Sequence, residues 1–176
     1  YFGEGNDEAQ MVYNFALPPL LAFSVLKSNT EKLTNWAKEL ALPGGGVCFF
    51  NFTASHDGIG VRAVNDILDE KEMSFLVRTS IGHGGYASYR AIGDEDESPY
   101  ELNCSYIDLL THPEEDDNIR VKRMILSQAV VLAMPGVPGI YFHSLVGSRN
   151  YHEAVRKTRI NRSINRDKLN YDNLKE

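Results

Sequence analysis

A short apolar segment that ends in a His-Asp pair between glycines constrains the fold of this chain more than any other feature. Residues 47–52 are rich in β-branched and aromatic side chains, and three glycines at 44–46 precede them. A run of this kind is typical of a buried parallel strand. His56 and Asp57 follow its carboxyl end, and that edge of a parallel sheet is where α/β proteins build their sites. The segment therefore predicts an α/β fold with a polar site after this strand.

The same His-Asp pair also has a simpler interpretation. Asp57 could cap a turn at the end of the strand, and Gly58 and Gly60 would let the backbone bend there. A carboxylate and an imidazole at this position could equally hold a polar substrate. From these residues alone, both interpretations remain open.

Predicted strands and helices alternate along the rest of the chain. This order is typical of βα units, which place their strands parallel in one sheet with right-handed crossovers. The stretch from Tyr86 to Leu110 breaks the pattern, and we expect a loop-like structure there. Apolar runs and helical spacing predict strands over 11–17, 47–52 and 139–142, and helices over 20–26, from Thr30, over 69–78, over 119–134 and from Tyr151.

Length, charge and cysteine content exclude several classes of protein. A chain of 176 residues with 43% hydrophobic content can form one sizeable core, but a whole (β/α)₈ barrel needs about 250 residues. The net charge of −6 argues against a nucleic-acid partner, which would require clustered Lys and Arg. No apolar run approaches the roughly 20 residues of a membrane span. Two cysteines, Cys48 and Cys104, predict no disulfide framework, and we expect a cytoplasmic protein without a membrane partner.

Four segments together resemble the sucrose phosphorylase subfamily of the alpha-amylase family of glycoside hydrolases. They are the His-Asp segment, which continues as Gly-Ile-Gly-Val, and residues 12–21, 135–143 and 162–166. All four occur in the order of the family and at about its spacing. The resemblance implies a partial (β/α)₈ TIM barrel that comprises about strands six to eight with their helices, plus a small loop-rich insertion.

The resemblance also implies a domain organisation. Residues 1–176 would be the C-terminal part of a TIM-barrel catalytic domain, and residues 61–118 would contain the insertion over the active-site mouth. The chain opens at Tyr1 as if partway through a longer sequence, so we expect the first five strands, with the catalytic nucleophile and acid, to lie upstream. A partial barrel leaves an open sheet edge, which predicts a homodimer through that edge.

Catalytic roles follow from the resemblance for the His-Asp pair. Asp57 matches the carboxylate that binds sugar hydroxyls and stabilises the transition state, and His56 would hydrogen-bond the same ring. An anion beside the oxocarbenium-like transition state of a retaining reaction lowers its energy. The resemblance therefore makes both residues candidate catalytic residues.

Substrate-binding roles follow for two loops. Arg166 matches a loop arginine that contacts phosphate or the acceptor, and Arg162 lies in the same segment. Tyr100, Glu101 and Asn103 match the acceptor loop. Sucrose phosphorylases carry Gln where this chain has Glu101, which weakens the case for fructose as acceptor.

The resemblance implies a retaining phosphorylase that transfers glucose from sucrose or a related α-glucoside, such as glucosylglycerate, to inorganic phosphate. Residues 96–103 and 142–149 favour the glucosylglycerate branch, while sucrose and sucrose 6-phosphate phosphorylases remain alternatives. A non-catalytic carbohydrate-binding or structural α/β domain is the competing interpretation. We expect no cofactor and no metal, because the histidines lack metal-site spacing and the acidic run 94–97 lacks that of a calcium loop.

Overall fold

The computed structural model describes residues 2–4, 7–42, 45–92 and 96–174. Within these ranges the chain forms six strands, seven α-helices and three short 3₁₀ turns. The strands are β1 (Met11–Tyr13), β2 (Cys48–Phe52), β3 (Ile59–Gly60), β4 (Tyr86–Ile92), β5 (Asp96–Asn103) and β6 (Val137–Gly139). The helices are α1 (Leu17–Lys27), α2 (Glu31–Glu39), α3 (Glu70–Gly82), α4 (Tyr106–Leu110), α5 (Asp117–Ala133), α6 (Phe142–Leu145) and α7 (His152–Thr158).

The first sheet is parallel and has the order β1-β2-β6. Tyr13 lies opposite Phe50, and Phe52 lies opposite Gly139. The expected parallel arrangement of these three strands is confirmed. Strand β1 ends at Tyr13 and not at the predicted Leu17, because α1 begins at Leu17 with prolines in its first turn, where proline is tolerated. Strand β6 spans Val137–Gly139 and not the predicted 139–142. Phe142 likewise begins α6 instead of ending a strand.

Two buried asparagines connect the three parallel strands. Asn14, just after β1, donates a hydrogen bond from Nδ2 to Oδ1 of Asn51 at 2.9 Å. Asn51 in turn donates from Nδ2 to the carbonyl of Pro135 at 3.0 Å. Since a buried amide must be hydrogen-bonded to avoid a desolvation penalty, this ladder favours one relative placement of the three strands.

The second sheet is antiparallel, in the order β3-β5-β4. Strands β4 and β5 form a hairpin with an irregular register between Ser88 and Tyr89. The prediction of a loop-like structure from Tyr86 to Leu110 is therefore wrong. Its alternating aromatic and small polar residues suit a strand with one exposed face. Asp94 and Glu95 of the acidic run lie outside the described residues.

The core lies between α1, α3, α4, α5 and the antiparallel sheet. Helix α1 is buried along residues 17–24, as expected for a helix covered on several sides. The phenol of Tyr106 donates a hydrogen bond to the carbonyl of Pro18 at 2.8 Å, which ties α4 to the start of α1. Fully or nearly fully buried core side chains include Leu17, Leu20, Leu21, Val61, Val64, Leu76, Leu102, Leu109, Leu110 and Val131.

Three segments of this fold converge at one edge. The chain leaves the carboxyl end of β2 toward β3, the end of β5 runs beside β3, and the 3₁₀ turn Asn161–Asn165 follows α7. The amide of Tyr151 donates to the carbonyl of Ile164 at 2.8 Å, which fixes the base of the α7 segment. In the described part of the chain, no helix combines the length and the apolar character needed to cross a membrane.

Candidate functional site

The loop after β2 presents His56 and Asp57 to solvent. The hydroxyl of Ser55 accepts a hydrogen bond from the amide of Asp57 at 3.1 Å, which shapes the turn. The side chains of His56 and Asp57 are 72% and 40% exposed, and His56 Nε2 lies 3.8 Å from Asp57 Oδ2. The pair is therefore open to a ligand, and Asp57 is not the N-cap of any described helix.

The 3₁₀ turn after α7 clamps the backbone of this loop. Asn165 donates from Nδ2 to the carbonyls of both Ser55 and Asp57, each at 2.9 Å. Arg166 donates from Nε to the intervening carbonyl of His56. Three consecutive carbonyls are thus held by two side chains of the turn, so the position of the His-Asp pair depends on this distant segment.

Two arginines meet on one oxygen of Asp57. Arg162 Nη1 lies 2.9 Å from Asp57 Oδ1, and Arg166 Nη2 lies 3.1 Å from the same atom. Arg162 also makes a bidentate pair with Glu101. Its Nε donates to Oε2 at 3.0 Å, and its Nη2 donates to Oε1 at 2.8 Å. The hydrogen bonds to Glu101, with the nearby charge of Asp57, raise the pKa of Arg162 above its ordinary value, so this side chain stays cationic.

Glu101 is held from behind by the hairpin. The residue is only 4% exposed, and Oε2 also accepts from Asn103 Nδ2 at 2.7 Å. Asn103 accepts in turn from the hydroxyl of Ser88 at 2.6 Å. A Cβ at Gly58 would lie 2.4 Å from Glu101 Cγ and 2.5 Å from Asn103 Nδ2, so the glycine after the His-Asp pair allows the hairpin to approach.

Two neighbouring clefts open at this edge, and Asp57 lines both of them. The first has a volume of about 230 Å³ and is also lined by Tyr100, Glu101 and Arg162. The second, of about 330 Å³, is lined by His56 and by rings of the parallel sheet. Those rings, which contact one another at centroid distances of 5.2 to 6.0 Å, belong to Tyr13, Phe15, Phe50 and Phe52.

The structure brings the seven predicted site residues together within one network. Four of them line the first cleft, His56 lines the second, Asn103 supports Glu101 and Arg166 binds Asp57. Their catalytic and binding roles stay predictions. The network joins His56, Asp57, Tyr100, Glu101, Asn103, Arg162 and Arg166.

Sequence reasoning missed Asn165 and Tyr141. The hydroxyl of Tyr141 donates to the carbonyl of Asn165 at 3.0 Å and so helps to hold Asn165 in place. Burial raises the pKa of this phenol. Asn165 lies beside Arg166 in the segment 162–166, yet no local pattern reveals its contact with a loop more than a hundred residues away. Over the described ranges, no group of three His, Cys, Asp or Glu side chains is arranged to hold a metal ion.

Comparisons with known proteins identify relatives along nearly the whole chain. No family model matches. Glucosylglycerate phosphorylase of Escherichia coli is 46% identical over 168 residues, which are 96% of this chain and 30% of that protein. Sucrose phosphorylase of Agrobacterium vitis is 30% identical over 88% of this chain and 31% of its own length.

A solved structure agrees with these matches. The sucrose 6F-phosphate phosphorylase from Thermoanaerobacter thermosaccharolyticum superposes with a TM-score of 0.79 at 25% identity, over 94% of this chain and 31% of that chain. The mixed α/β fold is therefore that of the corresponding part of this enzyme. The chain spans about 30% of the length of the curated relatives it matches.

Proposed function

Because this chain is a homologue of the glucosylglycerate and sucrose phosphorylases, as its motifs predicted, we propose that it works within an α-glucoside phosphorylase. Such an enzyme breaks the bond between the anomeric carbon of glucose and the acceptor oxygen. The acceptor oxygen takes a proton from the general acid and leaves as an alcohol. A phosphate oxygen then displaces the enzyme nucleophile from the anomeric carbon, giving α-glucose 1-phosphate, and the phosphate proton returns to the acid. The observation that carries the proposal is the convergence of two arginines on Asp57 beside the first cleft.

Asp57 is proposed to stabilise the positive charge that develops on the glucosyl ring. Its carboxylate is partly exposed at the cleft wall, and an anion close to an oxocarbenium-like centre lowers its energy. The two arginines hold this carboxylate in place. His56, on the exposed side of the loop, is proposed to hydrogen-bond a hydroxyl of the same ring.

Arg166 is proposed to bind the phosphate. Its Nε and Nη2 are engaged by the His56 carbonyl and by Asp57, while Nη1 has no hydrogen bond to the described residues. A guanidinium with a remaining N–H group at an accessible position suits a phosphate oxygen. Phosphate can then replace water in the second half of the reaction.

Glu101 and Arg162 are proposed to set the choice of acceptor. Both oxygens of Glu101 are occupied by Arg162 and Asn103, so this carboxylate acts chiefly by fixing the arginine. Arg162, whose side chain is partly exposed at the cleft, can pair with the carboxylate of glycerate, and Tyr100 lines the same cleft. This chemistry favours glucosylglycerate, and the identity to the glucosylglycerate phosphorylase of E. coli supports it.

We propose the finer architecture on the same basis. The parallel strands and their helices correspond to strands six to eight of a (β/α)₈ barrel, and residues 61–118, with the β4–β5 hairpin, form the insertion over the active-site mouth. The superposition on a solved phosphorylase supports this arrangement. The nucleophile and the general acid are then contributed by segments that these 176 residues do not contain. A cytoplasmic location stays a prediction.

A phosphorolysis assay tests the proposed function. The longer protein and the 176-residue chain are each given phosphate with glucosylglycerate, sucrose or sucrose 6-phosphate, and α-glucose 1-phosphate is measured. We expect turnover only in the longer protein, with glucosylglycerate as the best donor. Sugar binding in both proteins with turnover in neither would support a binding module and refute the proposal.

A further inference from the structure

A small polar cavity lies under the clamp that holds the His-Asp loop. Its volume of about 10 Å³ is close to the space that the centre of one water molecule requires. Hydroxyl-bearing and polar side chains supply much of its wall, which a dry apolar cavity would not have. The polar lining residues are Ser105, Tyr141, His143, Ser144, Ser148 and Asn165.

Asn165, which lines this cavity, has a buried acceptor atom. The residue is 6% exposed, and its Nδ2 is fully used by the carbonyls of Ser55 and Asp57. Its Oδ1 is buried and has no hydrogen-bond partner among the described residues. An unpaired buried carbonyl oxygen is costly, and native proteins satisfy nearly all such atoms with protein or water.

We propose that one buried water molecule is bound in this cavity and donates a hydrogen bond to Asn165 Oδ1. Ser144 and Ser148 line the same cavity, and their hydroxyls would be further partners, since a buried water needs two to four. The water fixes the amide of Asn165 in the orientation that clamps Ser55 and Asp57. It is thus a structural ligand that positions the candidate site, and it does not depend on the proposed activity.

A double-mutant cycle tests this water. Ser144→Val should fill the cavity and expel the water, which lowers the denaturant midpoint of unfolding. In an Asn165→Leu background no acceptor remains to be satisfied, so the same substitution should shift the midpoint much less. Ser74→Val, on the exposed face of α3, controls for the lower helix propensity of valine.

Equal shifts from Ser144→Val in both backgrounds would overturn the proposal. A high-resolution crystal structure provides a second test that does not require the variants to fold. We expect density for one water within hydrogen-bond distance of Asn165 Oδ1. A cavity without solvent density, or a protein donor on that oxygen, would also overturn it.

Discussion

At the residue scale, the candidate site is a balanced network of two carboxylates and two arginines. Glu101 is buried on the hairpin side, Asp57 is partly exposed on the loop side, and Arg162 bridges them. A buried carboxylate is stable only when it is paired and hydrogen-bonded. Arg162 therefore has a structural role in addition to the proposed role in binding.

Replacing Arg162 should destabilise the fold through its effect on Glu101. Arg162→Ala leaves the buried carboxylate with only Asn103, and we expect a loss of about 1–3 kcal/mol in the free energy of unfolding. Adding Glu101→Gln should restore part of that loss, because a neutral amide is less costly to bury. Chemical denaturation measures both, with Arg78→Ala at an exposed position of α3 as control. An Arg162→Ala variant as stable as the control would contradict this account.

The two cysteines should differ sharply in reactivity. Burial raises the pKa of Cys104 to about 12, so its thiolate is scarce at neutral pH, whereas Cys48 is only half-buried. Since the thiolate is the reactive form, iodoacetamide should modify Cys48 first in the native protein. Peptide mass spectrometry locates the label, and both sites should react in denaturant. Native labelling of Cys104 at the rate of Cys48 would be inconsistent with the packing described.

At the scale of elements, the sequence predicted the parts whose signals are local. The apolar run 47–52 with its His-Asp ending predicted β2, and the order of strands and helices predicted its parallel partners. Helix α1 was predicted as well, but it begins at Leu17, three residues before the predicted start. The β4–β5 hairpin was missed although its pairing is local in sequence, because the residues around the acidic run 94–97 were interpreted as a loop. The motif residues of the site were found by resemblance, yet Asn165 was not, because its contacts span distant segments.

Helix α3 begins with a capping box that the sequence Asp69-Glu-Lys-Glu72 encodes. Asp69 accepts from the amides of Lys71 and Glu72, and Glu72 accepts from the amide of Asp69. The hydrogen bond from the Glu72 amide lowers the pKa of Asp69, and desolvation opposes this shift. The amide of Lys71 and the charges of Lys32 and Lys71 lower the pKa further. This cap therefore stabilises the native state more when Asp69 is ionised.

The cap should make stability depend on pH in the acid range. A carboxyl with a lowered native pKa contributes stability above its unfolded pKa of about 4 and loses it as pH falls through the lower native value. Wild type should therefore lose stability relative to Asp69→Asn, which keeps an acceptor but does not titrate. Urea denaturation at several pH values from 7 to 3 measures the difference. A difference that stays constant over this range would refute the role of the ionised cap.

At the scale of the whole molecule, one face of the parallel sheet carries exposed aromatic rings. Tyr13 and Phe15 are 58% and 55% exposed, and in the described part of the chain β1 and β6 each have only one strand partner. Exposed apolar surface beside an unpaired edge favours association with another chain. We propose that this edge makes the isolated chain self-associate.

Light scattering coupled to size-exclusion chromatography measures that association. We expect a concentration-dependent dimer for the 176-residue chain, weakened by Tyr13→Ser combined with Phe15→Ser. The matched control is Tyr171→Ser, at another exposed aromatic residue that belongs to no strand. A monomer at high concentration, or a dimer that both sets of variants leave unchanged, would refute the open-edge proposal.

The central claim is that Asp57 stabilises the transition state of glucosyl transfer, and its most direct test is the phosphorolysis rate of Asp57→Asn in the longer protein. Asparagine preserves the shape of the side chain and removes its charge. We predict that kcat for glucosylglycerate falls by about 10²–10³-fold, the range typical when one electrostatic stabiliser of a transition state is lost, while circular dichroism shows an intact fold. A variant that folds and retains kcat within a few fold of wild type would contradict the account.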